Sequence, residues 1–196
     1  GLNLLADHFR YVHAGGAVGP AHSPVVLEPA WTGQVPDVPL PRIVGRQGSD
    51  VRPVDVRSTE GRLALTAYVW PDQVHRIERL RGAFELAARI PYQVRRQSAI
   101  DQVRGIELRQ GAATVLWHSV MWQYLSREEQ DAVEARVGDL GEQASATAPF
   151  AHVFLEPTRR TPESPHQFLV VLESWPDGGR RVIGLSRGHG VPTDCE

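Results

Sequence analysis

Lysine is missing from this chain altogether: all 21 basic side chains are arginine. Three chemistries go with it, namely the Walker A lysine, the Schiff-base lysine and the lysine general base. Cysteine is reduced to Cys195, beside the C-terminus. A lone thiol builds no disulfide framework and no cysteine metal site within one chain, and it suits a reducing cytoplasm. No apolar run reaches the length of a helical membrane span, so no membrane partner is expected. The net charge is only −2 at pH 7, far from the concentrated positive surface that nucleic acid demands. The arginine pairs Arg95-Arg96, Arg159-Arg160 and Arg180-Arg181 read as solvated strand and loop ends. His8 and His13 are five apart and share no helical face, and HExxH is lacking, so no metal site is expected. Ser119 has no flanking glycines, which removes the nucleophile elbow of a hydrolase.

What is present is ordinary globular material, 41% hydrophobic and 22% charged over 196 residues, enough for one domain with a sizeable core. Its clearest stretch lies between Ala112 and Leu140. Ala113-Thr114-Val115-Leu116-Trp117 is a short unbroken apolar run after Gly111, as in an inner strand buried on both faces. Ser126 and Glu129 have capping-box spacing. Val133, Val137 and Leu140 then share one helical face, and Gly141 is suited to close the helix. Strand, loop and capped helix make a βα unit. Ligands of open parallel sheets sit beyond the carboxyl ends of the strands, where His118, Ser119 and Tyr124 fall.

Elsewhere, Leu2, Leu5, Phe9 and Val12 have helical spacing, ended by Gly15-Gly16. The chain begins in that rhythm without methionine, and it is expected to be the C-terminal part of something longer. Residues 21–41 carry Pro24, Pro29, Pro36, Pro39 and Pro41 around Val25-Val26-Leu27, and predict a hairpin-like insertion or edge strand. A strand is expected from Arg42 to Asp50. Trp70-Pro71-Asp72-Gln73 opens the longest helix, with Val74, Ile77, Leu80, Phe84 and Ala87 or Ala88 as its buried stripe. Pro91 stops it, a strand follows at Tyr92-Gln93-Val94, and Ser98 is placed to cap another helix. Strands are predicted at Ala151–Glu156, Phe168–Leu172 and Arg181–Leu185, the last two joined by the turn Pro176-Asp177-Gly178-Gly179. Alternating β and α with a closing antiparallel pair gives an α/β protein with a mostly parallel sheet.

The chain carries Gly1-Leu2-Asn3-Leu4, Gly48-Ser49-Asp50 with Pro53 and Asp55, Trp70-Pro71-Asp72-Gln73 with Arg76 and Arg79-Leu80, His118-Ser119 with Tyr124-Leu125, and His189-Gly190. On these stretches the chain resembles an uncharacterised bacterial family of the domain-of-unknown-function kind, itself similar to class I S-adenosylmethionine-dependent methyltransferases. The tryptophan-proline-aspartate-glutamine stretch is the specific part. The resemblance implies a Rossmann-like three-layer sandwich and S-adenosylmethionine as cofactor. Gly1 and Asn3 would face its carboxylate end, since helix N-termini favour anions. Asp50 would accept hydrogen bonds from the ribose hydroxyls. Ser98 stands where the family tends to carry an aspartate at the end of its third strand, next to the adenine.

The expected activity is methyl transfer to a small molecule. His118 is the general-base candidate, because histidine is the residue type suited to proton transfer near neutral pH, and Tyr124 stands beside it. Trp70, Asp72 and Ser119 are candidates for wall and anchors of the substrate pocket. The bland readings are equally physical: an Asx turn at Asp50, a satisfied structural histidine, helix-entry packing by Tyr124 and Trp70, and a dipole contact by Asp72. A non-catalytic binding or scaffold domain of the same architecture is the alternative. A hydrolase using His118 and Ser119 is a weaker third.

Overall fold

The computed structural model describes residues 1–35 and 37–196; Pro36 of the proline-rich segment lies outside the described residues. The strands are β1 (Arg10–His13), β2 (Gly16–Val18), β3 (Val26–Leu27), β4 (Trp31–Gly33), β5 (Gln47–Asp50), β6 (Gln93–Arg96), β7 (Thr114–Ser119), β8 (Phe150–Thr158), β9 (Gln167–Trp175), β10 (Gly179–Ser186) and β11 (Thr193–Cys195). The helices are α1 (Thr59–Ala67), α2 (Val74–Arg89), α3 (Ala99–Arg104) and α4 (Arg127–Gln143), with 3-10 turns at Leu2–His8 and Trp122–Tyr124. They divide into two compact units. Gly1–Ala30 with residues 37–98 form the first, and Trp31–Val35 with Ala99–Glu196 form the second. No described helix is long and apolar enough to cross a membrane.

In the first unit, Leu5, Phe9, Val25 and Val56 pack with Ala83, Phe84, Leu86 and Ala87 of α2. The opening segment departs from the expected helix. Only Leu2–His8 turns, as a 3-10 helix, and Phe9 is extended at its end. Val12 lies in β1, which takes β2 antiparallel and β3 parallel as neighbours. A three-residue apolar spacing fits both outcomes, and the ladder to β2 and β3 decides it. Gly15-Gly16 accordingly sits at the turn into β2 rather than at a helix end. Helix α2 begins at Val74, so Pro71 lies in the turn before it. Its buried face also lies nearer its C-terminal half than the stripe from Val74 predicts: Val74 is exposed, while Gly82 to Ala87 carry the core. Gly82 has a reason. A Cβ there would collide with the Pro24 carbonyl oxygen, so the chain at Pro24 and the helix approach as close as backbones can. Ahead of it α1, capped by Ser58 accepting from the Gly61 amide, is a helix the apolar spacing did not announce.

The second unit is built on a six-stranded sheet in the order β4-β11-β10-β9-β8-β7. Three of its pairings are antiparallel (β8/β9, β9/β10, β10/β11) and two are parallel (β7/β8, β4/β11), so its directions are mixed rather than mostly parallel. The predicted closing pair is there as β9 and β10. Among the described residues of the proline-rich stretch 21–41, β3 and β4 do not pair with each other and are edge strands of two separate sheets. The capping box of α4 forms as expected, Ser126 Oγ accepting from the Glu129 amide and the Glu129 carboxylate from the Ser126 amide at 2.8 Å. Val133, Val137 and Leu140 are buried against Phe150 and Val103. Gly141 does not close the helix, which runs on to Gln143; a Cβ there would strike the Trp175 indole.

One correction bears on the site. The apolar run at Ala113–Trp117 is the outermost strand, β7, and not an inner one. Val115 and Trp117 are 55% and 42% exposed, whereas Leu116 packs on the core of α4. The alternation is that of a strand with one wet face, hidden in the sequence because the wet positions are also apolar.

Candidate functional site

Every second residue of a strand faces the same side. On β8 this sends Phe150, His152, Phe154 and Glu156 together toward α4, with Leu116 and His118 beside them on β7 and Glu173 and Trp175 on β9. At the Phe150 end the layer between sheet and helix is apolar and closed. Toward Glu156 it opens into a cavity of about 500 Å³, lined among others by His118, Trp122, Glu134, Phe154, Glu156 and Arg180.

Along one wall runs an unbroken polar chain. Glu156 Oε1 accepts from His118 Nδ1 at 2.9 Å, and from the amides of Met121 at 2.9 Å and Trp122 at 3.2 Å. His118 Nε2 meets His152 Nε2 at 3.1 Å. His152 Nδ1 donates to Glu173 Oε2 at 2.9 Å, and Arg180 Nε stands 3.5 Å from Glu173 Oε1. Glu156 is only 4% exposed, and its second oxygen, Oε2, receives no hydrogen bond among the described residues.

The two amides reach Glu156 because of one backbone device. Val120 has φ of 48°, a region that a β-branched residue rarely enters. It turns the chain at the end of β7 so that successive N–H groups converge on one carboxylate oxygen. Strain of this kind costs on the order of 1–3 kcal/mol and survives only where the surroundings fix it.

Burial alone would push the Glu156 carboxyl up. The hydrogen bonds from His118, Met121 and Trp122, and the charge of His118, outweigh it and hold the group below the usual carboxylate range. Glu173 is also held low, first by the hydrogen bond from His152. Burial opposes that, and the charges of His152, Arg180 and His118 reinforce it. Both groups are therefore acceptors, and both Nδ1 atoms must be donors. Two neutral rings with Nδ1–H would then turn bare lone pairs at each other. Their contact at 3.1 Å is a hydrogen bond only where a further proton lies between the Nε2 atoms. Four side chains thus form one chain, an imidazole pair with a carboxylate at each end. Trp122 and Phe154 stack on His118, with ring centroids 5.4 and 5.5 Å away, and π faces favour a nearby cation.

Of the residues singled out in the sequence, His118 stands in this chain, with both ring nitrogens engaged. Ser119 follows it on β7, so the two side chains leave the strand on opposite sides, and neither His118 nitrogen is bonded to the serine. Tyr124 belongs to the 3-10 turn after β7 and is 79% exposed; Trp122 of that turn, not Tyr124, lines the cavity. Gly1, Asn3, Asp50, Ser98, Trp70 and Asp72 all belong to the first unit. There Gly1 lies against Val94 of β6, and β5 and β6 run parallel with Asp50 level with Arg96. The Asp50 carboxylate accepts from the Arg52 amide at 2.7 Å, an Asx turn. Trp70 is 71% exposed. Asp50 and His118 thus stand in separate sheets and separate units.

Sequence reading missed His152, Glu156, Glu173 and Arg180. The first two were within reach: once Ala151–Glu156 is a strand, His152 and Glu156 share a face, and two ionisable residues on the helix-covered side of a core strand are unusual. Among the described residues no group of three or more His, Cys, Asp or Glu is arranged to hold a metal ion.

Fold and site together define a mixed α/β protein with a buried carboxylate–imidazole–imidazole–carboxylate chain along a cavity of small-molecule size. The chain belongs to the bacterial family described as "Uncharacterized protein conserved in bacteria (DUF2332)", whose model matches residues 1–194. That bears out the expected uncharacterised bacterial family and carries no activity with it. No curated protein and no solved structure matches.

Proposed function

We propose that this protein binds a small molecule in the cavity between α4 and the β7–β10 face, and that Glu156, His118, His152 and Glu173 form its acid–base element. One observation carries the reading: two imidazoles in contact at 3.1 Å stand between two depressed carboxylates in the wall of a cavity of about 500 Å³. Structural histidines are usually satisfied by one partner. Here four ionisable side chains are spent on each other where an all-apolar layer would fill the same space more cheaply.

Within that reading, the reaction to test first is the one the resemblance implies, methyl transfer from S-adenosylmethionine to a small molecule in the cytoplasm. When bound, the cofactor would supply the methyl group; within the first unit, Asp50 is the candidate acceptor for its ribose hydroxyls. The protein's own part is to position the acceptor and exclude water. His118 then governs where a proton rests. Two parallel pairs, β5 with β6 and β7 with β8, support a Rossmann-like arrangement, since helical crossovers join the strands of each. The alternative, a binding module without chemistry, draws on two other facts. Both His118 nitrogens are already engaged, and Asp50 already closes its own turn.

Calorimetry with S-adenosylmethionine and S-adenosylhomocysteine separates them. Saturable heat from either, weakened by Asp50→Ala, supports the methyl-transfer reading; heat from neither leaves the binding module.

A further inference from the structure

We infer that the cavity's ligand is a protonated amine carried on a flat apolar body, and that Glu156 Oε2 is its anchor. The inference rests on the cavity being the working site and adds the chemical class of what fills it. Three observations carry it.

The first is the orphaned oxygen. Glu156 Oε1 accepts from three donors, while the buried Oε2 has none among the described residues. A buried carboxylate oxygen with open lone pairs is costly, and an N–H donor is what relieves it. The second is the balance of ionisable groups. Glu134, Glu156 and Glu173 line the cavity; facing them are one guanidinium, Arg180, and the imidazole pair of His118 and His152. A cation fits that set and an anion does not. The third is the shape of the walls. Trp122, Phe154 and Trp175 present aromatic rings to the same space, suited to a flat body and favourable to a nearby ammonium.

The test uses three ligands of one shape, phenethylamine, phenethyl alcohol and 3-phenylpropionate, titrated calorimetrically into the full chain. The amine is expected to bind about 10- to 100-fold more tightly than the alcohol, the span of a charge-assisted hydrogen bond over a neutral one, and the carboxylate not at all. Glu156→Gln keeps an oxygen for the Met121 and Trp122 amides while removing the charge, and should bring amine and alcohol to equal affinity. The amine-to-alcohol ratio in the unaltered protein reads the same claim without any variant. Equal binding of amine and alcohol, or a preference for the carboxylate, overturns the inference and leaves the cavity as a small-molecule site. Absence of binding by all three overturns the inference and the reading beneath it together.

Discussion

The two units place polar residues at the ends of parallel strands in the same way, with different results. In the first, Asp50 ends β5, lies exposed and bonds the amide two residues on. In the second, His118 near the end of β7 is drawn under α4 and joined to three ionisable side chains from β8 and β9. A strand end offers only position. What converts position into a chemically tuned group is cover from a helix and a partner on the neighbouring strand at the same level. The register supplies it: His118 lies level with Phe154, between His152 and Glu156 on the same face.

The sharpest way to break this contrast is to remove the acceptor at its centre. Glu156→Ala strands His118 Nδ1–H and the Met121 and Trp122 amides, and should cost about 3–5 kcal/mol in urea unfolding. A loss under about 1 kcal/mol would mean the chain is not held as described. Next in size is Gly141→Ala. Its methyl would push the Trp175 indole off α4, costing about 1–3 kcal/mol with a shift in tryptophan fluorescence.

Acid should separate the units further. Glu156, facing His118 and two amides, and Glu173, facing His152, Arg180 and His118, are both held low. Their contribution is therefore complete above the ordinary carboxylate pKa of about 4.3 and fades as pH falls through their folded values. Glu173→Gln should flatten the loss of stability below about pH 4.5, at a neutral-pH cost of about 1 kcal/mol, read from melting temperature against pH. An unchanged acid limb would contradict the depression of Glu173. Smallest of all, Asp50→Ala should cost about 0.5 kcal/mol and Asp50→Asn close to nothing, because asparagine keeps the turn's acceptor. A large effect there would show that the first unit uses Asp50 as more than a turn.

Much of the second unit could be read in advance, since its signals are local: the capping box at Ser126, the face Val133, Val137 and Leu140, and the β9–β10 turn. What escaped depends on pairing across the sheet. Nothing in Thr114–Ser119 says that this strand is outermost, because edge and centre differ in neighbours and not in composition. His118 stood out as a lone titratable residue. Its partners lie 34 and 38 positions away, and only the parallel register of β7 on β8 reveals them. The opening segment failed for a related reason: apolar spacing at Leu2, Leu5, Phe9 and Val12 fits a helix until a strand partner is available.

The central claim is the proton between two imidazoles, and long-range ¹⁵N–¹H NMR on histidine-labelled protein at about pH 6 addresses it directly. The account predicts protons on both Nδ1 atoms of His118 and His152 and a third, strongly downfield, shared by their Nε2 atoms. Two independent neutral rings, or a bare Nδ1 on either, would contradict it.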